Sequence, residues 1–163
     1  YTLISSEEGF SVTAYWDVNA WRSGYGTDHK MQSDGKLVQV GKDTTFTQEE
    51  AKATLLYDIK YRFESGVISQ IGKENWDKLN DNQKASLLSY AYNGGAGALK
   101  KWGVASSIKG QDYTSAALNI ARGPVKSKVK NKTTGIIELK VLPNLQRRRL
   151  KESILFGMEV INA

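Results

Sequence analysis

The chain has 163 residues, 40% of them hydrophobic and 25% charged, with a formal net charge of +6, the size and composition of one globular domain. With no Cys and a single His, His29, it excludes disulfides, zinc–thiolate centres and any multi-histidine metal site. No apolar run approaches the ~18 residues of a membrane-spanning helix, and the start at Tyr1 rather than Met reads as a processed protein or a domain cut from a longer one.

Residues 2 to 9 predict a short helix that Thr2 caps and Gly9 ends. Glu8 then falls on the last turn, near the negative end of the helix dipole, a placement that suits a proton donor. Residues 11 to 40 lack helical period. Val12, Tyr15, Trp16, Val18, Trp21 and Tyr25 favour strands, Asn19, Gly24, Gly26 and Gly41 punctuate them, and Asp34-Gly35 is the strongest hairpin signal. This predicts a small antiparallel sheet with Asp17 at a bend, crowded by Tyr15, Trp16 and Trp21.

At Thr47 the pattern changes. Thr47 and Glu50 form a capping box, and Ala51, Leu55, Ile59 and Phe63 recur at steps of four, predicting a long amphipathic helix that ends at Ser65-Gly66 and joins two lobes. A shorter helix is expected from Lys73 to Leu79. Asn80 or Asp81 then caps a strongly apolar one that ends at Asn93-Gly94-Gly95, with further helices near 97–109, 113–122 and 143–157. Residues 124–142 interrupt them as a β-hairpin whose first strand is studded with Lys. Residues 126–151 hold nine Lys and Arg against Glu138 alone. Such a strip suits a polyanion (nucleic acid, an anionic membrane or an anionic cell-wall polymer) or is simply a solvated basic face.

Two carboxylates, Glu8 and Asp17, flank the aromatic stretch. Cleavage of a glycosidic bond needs such a pair: one acid protonates the leaving oxygen, and the other activates water or attacks the sugar. The plain alternative is a helix-surface acid and a turn acid.

Three separated pieces resemble the phage-type lysozymes, the muramidases or endolysins of glycoside hydrolase family 24. Glu8-Gly9 with Tyr15, Asp17 and Gly24-Tyr25-Gly26 is similar to the family's N-terminal signature. Leu87 to Ala98 is similar to its central buried helix and the Gly-rich turn after it, and Leu142 to Arg149 with Glu152, Leu155 and Phe156 to its last helix. In order and spacing the resemblance covers nearly the whole chain. It implies a mainly helical α+β fold in one domain, 1–163. A small β lobe of about 11–45 and a helical lobe of about 66–163 would have the cleft between them.

The resemblance further implies hydrolysis of the β-1,4 bond between N-acetylmuramic acid and N-acetylglucosamine in peptidoglycan, at the bacterial cell wall. Glu8 matches the general acid and Asp17 the second carboxylate, while Tyr92, Asn93 and Asn119 match glycan-contacting positions; no cofactor or metal is implied. The sequence departs from the family pattern in three places. Arg22 stands where a Thr usually helps hold the water, and Ser23 next to it, or a backbone group, is expected to take over that hydrogen bond. The stretch from Asp17 to Gly24 is one residue short. Thr27 stands where a His is usual, with His29 two positions on, read as a salt-bridged structural residue. If Ser23 does not hold a water, Asp17 acts as nucleophile or as electrostatic partner. Arg22 is expected to point away from Asp17 or to pair with another acid. The rival readings are a lytic transglycosylase using Glu8 alone and a non-catalytic wall or nucleic-acid binder.

Overall fold

A computed structural model describes residues 1–158; the last five residues of the expected domain lie outside it. The chain divides into two compact units, Tyr1–Glu64 and the residues from Ser65 onward. The architecture is α+β and mainly helical, with three separate two-stranded antiparallel hairpins among the described residues.

The first unit starts with α1 (Thr2–Glu8). Thr2 does not cap it: Tyr1 holds the cap position, its carbonyl accepts from the Ser5 amide, and Thr2 is already helical, so no side chain is placed to reach back. Gly9 ends the helix at φ 68°, a conformation that costs glycine little. The hairpin of β1 (Ser11–Asp17) and β2 (Ala20–Gly24) pairs Tyr15 with Arg22, Trp16 with Trp21 and Asp17 with Ala20. A second hairpin, β3 (His29–Met31) and β4 (Leu37–Gln39), turns at Asp34-Gly35 as expected. The core of this unit is Val40, Phe46 and Ala51, with Phe10, Ala14, Trp21 and Tyr25 packed around them. Gly24 is required there. Its φ is 59°, and a side chain would begin 3.2 Å from the Phe46 ring.

The helix α2 (Gln48–Asp58) opens with both hydrogen bonds of the Thr47–Glu50 capping box. The helical run does not stop at Ser65-Gly66. It passes through a π-helical turn, Ile59–Phe63, into α3 (Glu64–Ile71) and ends before Gly72 at φ 88°. Gly66 was misread as a stop because its role is packing: a Cβ there would sit 3.0 Å from the Ala96 Cβ. The absence of a side chain allows a close approach within the second unit.

That unit continues with α4 (Lys73–Lys78) and α5 (Asp81–Gly94), the latter capped by an Asn80–Gln83 box. The stretch 97–109 is two helices, α6 (Gly97–Lys101) and α7 (Val104–Lys109), because Gly103 turns the chain at φ 77°. Then come α8 (Tyr113–Arg122), the hairpin β5 (Lys126–Lys130) and β6 (Ile137–Val141), and α9 (Pro143–Gly157). Both α5 and α8 pack on α9. Leu87, Tyr90 and Ala91 of α5 are fully buried, as are Leu99 of α6, Ile108 of α7 and Ile120 of α8. Burying one such aliphatic side chain stabilises by about 1.5–3 kcal/mol.

The basic strip of residues 126–151 is not continuous on the surface. Arg148 and Arg149 are buried and share Glu152, with Arg149 Nη2 donating to Oε1 at 2.9 Å and its Nε lying 2.8 Å from Oε2. Ser89 also donates to this carboxylate, at 2.6 Å. A buried cation requires a paired anion, and Glu152, one helical turn along α9, supplies it. Among the described residues no helix is long and apolar enough to cross a membrane.

Candidate active site

Glu8 reaches the site because α1 ends on it, half-buried, just before Gly9 turns the chain into β1. Asp17 ends β1 and is followed by the Val18-Asn19 turn, in which Val18 takes φ 51°. Gly26 stands beside Glu8 and Tyr15. A side chain on it would begin 3.6 Å from Glu8 Oε2 and 3.9 Å from the Tyr15 hydroxyl, so the bare α-carbon faces both groups. Tyr15 lies within electrostatic reach of both acids. Its phenol is held above its ordinary pKa by burial first, then by the charges of Asp17 and Glu8, with Arg22 opposing.

Period-two alternation decides which neighbours share this face. Tyr15, Asp17 and Arg22 lie on one side of the hairpin, while Trp16 and Trp21 form their own cross-strand pair on the other, ring centroids 5.5 Å apart. The expected crowding of Asp17 by three aromatics therefore reduces to Tyr15. Trp21 belongs to the core.

Arg22 does not turn away from Asp17. Its Nε lies 2.9 Å from Asp17 Oδ2, and its Nη1 donates to the Gly26 carbonyl at 3.2 Å. The register explains this: Arg22 pairs with Tyr15 and so faces the position two residues further along β1. One guanidinium thus links the second carboxylate to the turn opposite the first.

Ser23 is fully buried. Its hydroxyl donates to the Ser11 carbonyl at 3.1 Å, and its own carbonyl accepts from the amides of Gly26 and Thr27. Ser23 therefore fixes the turn that presents Gly26. His29 sits in an ion network. Its Nε2 is 2.7 Å from the buried Asp58 and its Nδ1 2.8 Å from Asp28, with Arg62 close to both acids. The hydrogen bond to Asp58 raises the His29 pKa, against burial, which lowers it.

This assembly joins a helix-end Glu to a hairpin Asp through a Gly-x-Gly turn. The family model described as phage lysozyme matches residues 5–152, which include every one of these groups. The chain belongs to the phage lysozyme family. It is accordingly a lysozyme-type enzyme, a glycosidase that cleaves peptidoglycan.

Solved structures agree in fold. The muramidase domain of SpmX from Asticaccaulis excentricus is 24% identical, with a TM-score of 0.74 over 97% of this chain and 94% of that one. An endolysin of the Escherichia coli phage FAHEc1 is 25% identical, TM-score 0.72, covering 96% and 89%. A mutant of P22 lysozyme is 26% identical, TM-score 0.67, covering 95% and 92%. Among curated proteins none matches the chain.

The other positions implied by the family resemblance lie in the second unit. Tyr92 is half-buried and Asn93 exposed, both in the last turn of α5. Asn119 on α8 is half-buried, and its Nδ2 donates to the Gly103 carbonyl at 3.3 Å and the Ser107 hydroxyl at 3.2 Å. Its amide nitrogen thereby ties α8 to the start of α7, while Oδ1 faces Arg122 Nη1 at 3.5 Å. Sequence reasoning missed the Asp17–Arg22 link. The signal was present as a two-residue turn at Val18-Asn19, which fixes the register that brings these side chains together.

Proposed function

We propose that this lysozyme hydrolyses the β-1,4 bond between N-acetylmuramic acid and N-acetylglucosamine, with Glu8 as general acid and Asp17 as the second carboxylate. The supporting observation is the convergence of Glu8 Oε2 and the Tyr15 hydroxyl on the bare Gly26 α-carbon, with Asp17 and Arg22 on the same hairpin face as Tyr15. Glu8 donates its proton to the leaving oxygen as the bond to the anomeric carbon breaks. Asp17 activates the water that attacks that carbon. Ser23 acts as a positioning residue for the Gly26 turn, since its hydroxyl is already committed to the Ser11 carbonyl. Tyr92, Asn93 and Asn119 are assigned to glycan contact on the family resemblance.

The Asp17–Arg22 pair favours a second reading. With Arg22 Nε 2.9 Å from its Oδ2, Asp17 also suits the part of an electrostatic partner for internal attack by the sugar's own hydroxyl, the transglycosylase outcome. The products decide. Water as nucleophile leaves a reducing end, and internal attack leaves an anhydro-sugar lighter by one water. Inverting enzymes hold their carboxyl groups ~6.5–9.5 Å apart and retaining ones ~5–5.5 Å, and on the family resemblance we assign the Glu8–Asp17 pair to the wider class. Mass spectrometry with proton NMR of fresh product is expected to show the reducing sugar as the α-anomer. A β-anomer overturns the inverting assignment, and an anhydro-sugar overturns hydrolysis.

A further inference from the structure

The hairpin of β5 and β6 has two unlike faces. Directly paired residues of antiparallel strands project to the same side. The register therefore sets Lys126 beside Val141, Lys128 beside Leu139 and Lys130 beside Ile137 on one face. The other carries Ser127, Val129, Glu138 and Lys140, where Lys140 Nζ pairs with Glu138 at 2.9 Å. Every residue of the two strands is exposed except Val129, which is half-buried and belongs to this second face. The first face is therefore the outward one. It presents three lysines with no acid among them, next to branched aliphatics that stand open to water, Ile137 at 63% and Leu139 at 64% exposure.

The combination selects the partner. A polyanion without apolar parts would satisfy the lysines and leave the aliphatics wet. An apolar protein groove would take the aliphatics and strip water from three cations. The surface of an anionic bilayer accommodates both: lysine stems lie along the aliphatic row, their ammonium groups reach lipid phosphates, and Ile137, Leu139 and Val141 meet the acyl boundary. We propose that the outward face of this hairpin is a peripheral docking surface for anionic phospholipid bilayers. It is independent of the catalytic assignment, since no residue of the hairpin is placed in the reaction.

The test is co-sedimentation of the full chain with phosphatidylglycerol–phosphatidylcholine vesicles and with phosphatidylcholine vesicles, at low salt. The parent is expected to bind the first and not the second. Lys126→Gln, Lys128→Gln and Lys130→Gln together should weaken that binding by about 10²-fold. Ile137→Ser, Leu139→Ser and Val141→Ser together should weaken it at least ~10-fold. Both variants should cleave a short soluble glycan at the parent's rate. No binding of the parent to anionic vesicles, or equal binding to both kinds, overturns the proposal without recourse to any variant. Loss on lysine replacement with none on aliphatic replacement also overturns it, and moves the face to a water-soluble polyanion such as a wall polymer.

Discussion

Arg22 carries more of the site's geometry than its residue type announces. Its guanidinium touches the Asp17 carboxylate and the Gly26 carbonyl at once, an arrangement open to a planar fork and closed to a point-like ammonium. Arg22→Lys should therefore keep the positive charge and lose one of the two contacts. The expected outcome is a fall in kcat of about 10- to 10²-fold, the range for a misplacement near 1 Å, with KM and melting temperature close to the parent's. Unchanged kcat would make the bridge a surface ion pair without influence on the chemistry. At this scale the sequence was legible where a residue acts through its immediate neighbours. Glu8 before Gly9 marked a helix end, Thr47 with Glu50 marked a helix start, and Asn80 was one of the two caps read for α5. Arg22 acts across a hairpin, and its partner depends on register, which residue type alone does not declare.

Between elements, the His29 network ties β3 to α2. The Met31 amide donates to Thr54 Oγ1 at 2.9 Å and His29 Nε2 reaches Asp58 at 2.7 Å, both acceptors lying on the buried face of α2. The His29 pKa stands above its ordinary 6.5, chiefly through that hydrogen bond to Asp58. Asp28 stands below its ordinary 3.8, chiefly through its hydrogen bond with His29. A raised histidine is bound as imidazolium more firmly in the folded chain than in the unfolded one. Its contribution is thus complete below 6.5 and lost as pH rises through the folded value. The Asp28 contribution runs the other way, complete above 3.8 and lost as pH falls through its lowered value. The melting temperature of the parent should therefore drop more from about pH 6 to about pH 9 than that of His29→Gln. Parallel profiles for the two proteins would mean that the network does not couple His29 protonation to folding. Element boundaries were legible where glycine is needed for its φ, as at Gly9 and Gly95, and misleading at Gly66, where it is needed for the approach to Ala96. The two requirements look alike in a sequence.

Across the molecule, family membership and fold were legible because three separated pieces stood in the right order, and the match to residues 5–152 joins them. Net charge was a poorer guide to surface. Two of the nine basic residues between 126 and 151 are buried on Glu152, and the hairpin that carries Lys126, Lys128, Lys130 and Lys140 is set apart by its exposed aliphatics. A charge count cannot separate a cation paired in a core from one facing water. The central claim is that peptidoglycan cleavage runs through the Glu8 carboxyl. Its most direct measurement is the turnover of purified peptidoglycan by Glu8→Gln beside the parent, with circular dichroism to show that both are folded. The isostere keeps the shape of the side chain and removes the transferable proton, so the rate should fall by at least ~10²-fold while the fold is unchanged. A rate within a few-fold of the parent, from a folded variant, would contradict the assignment of Glu8 as the acid.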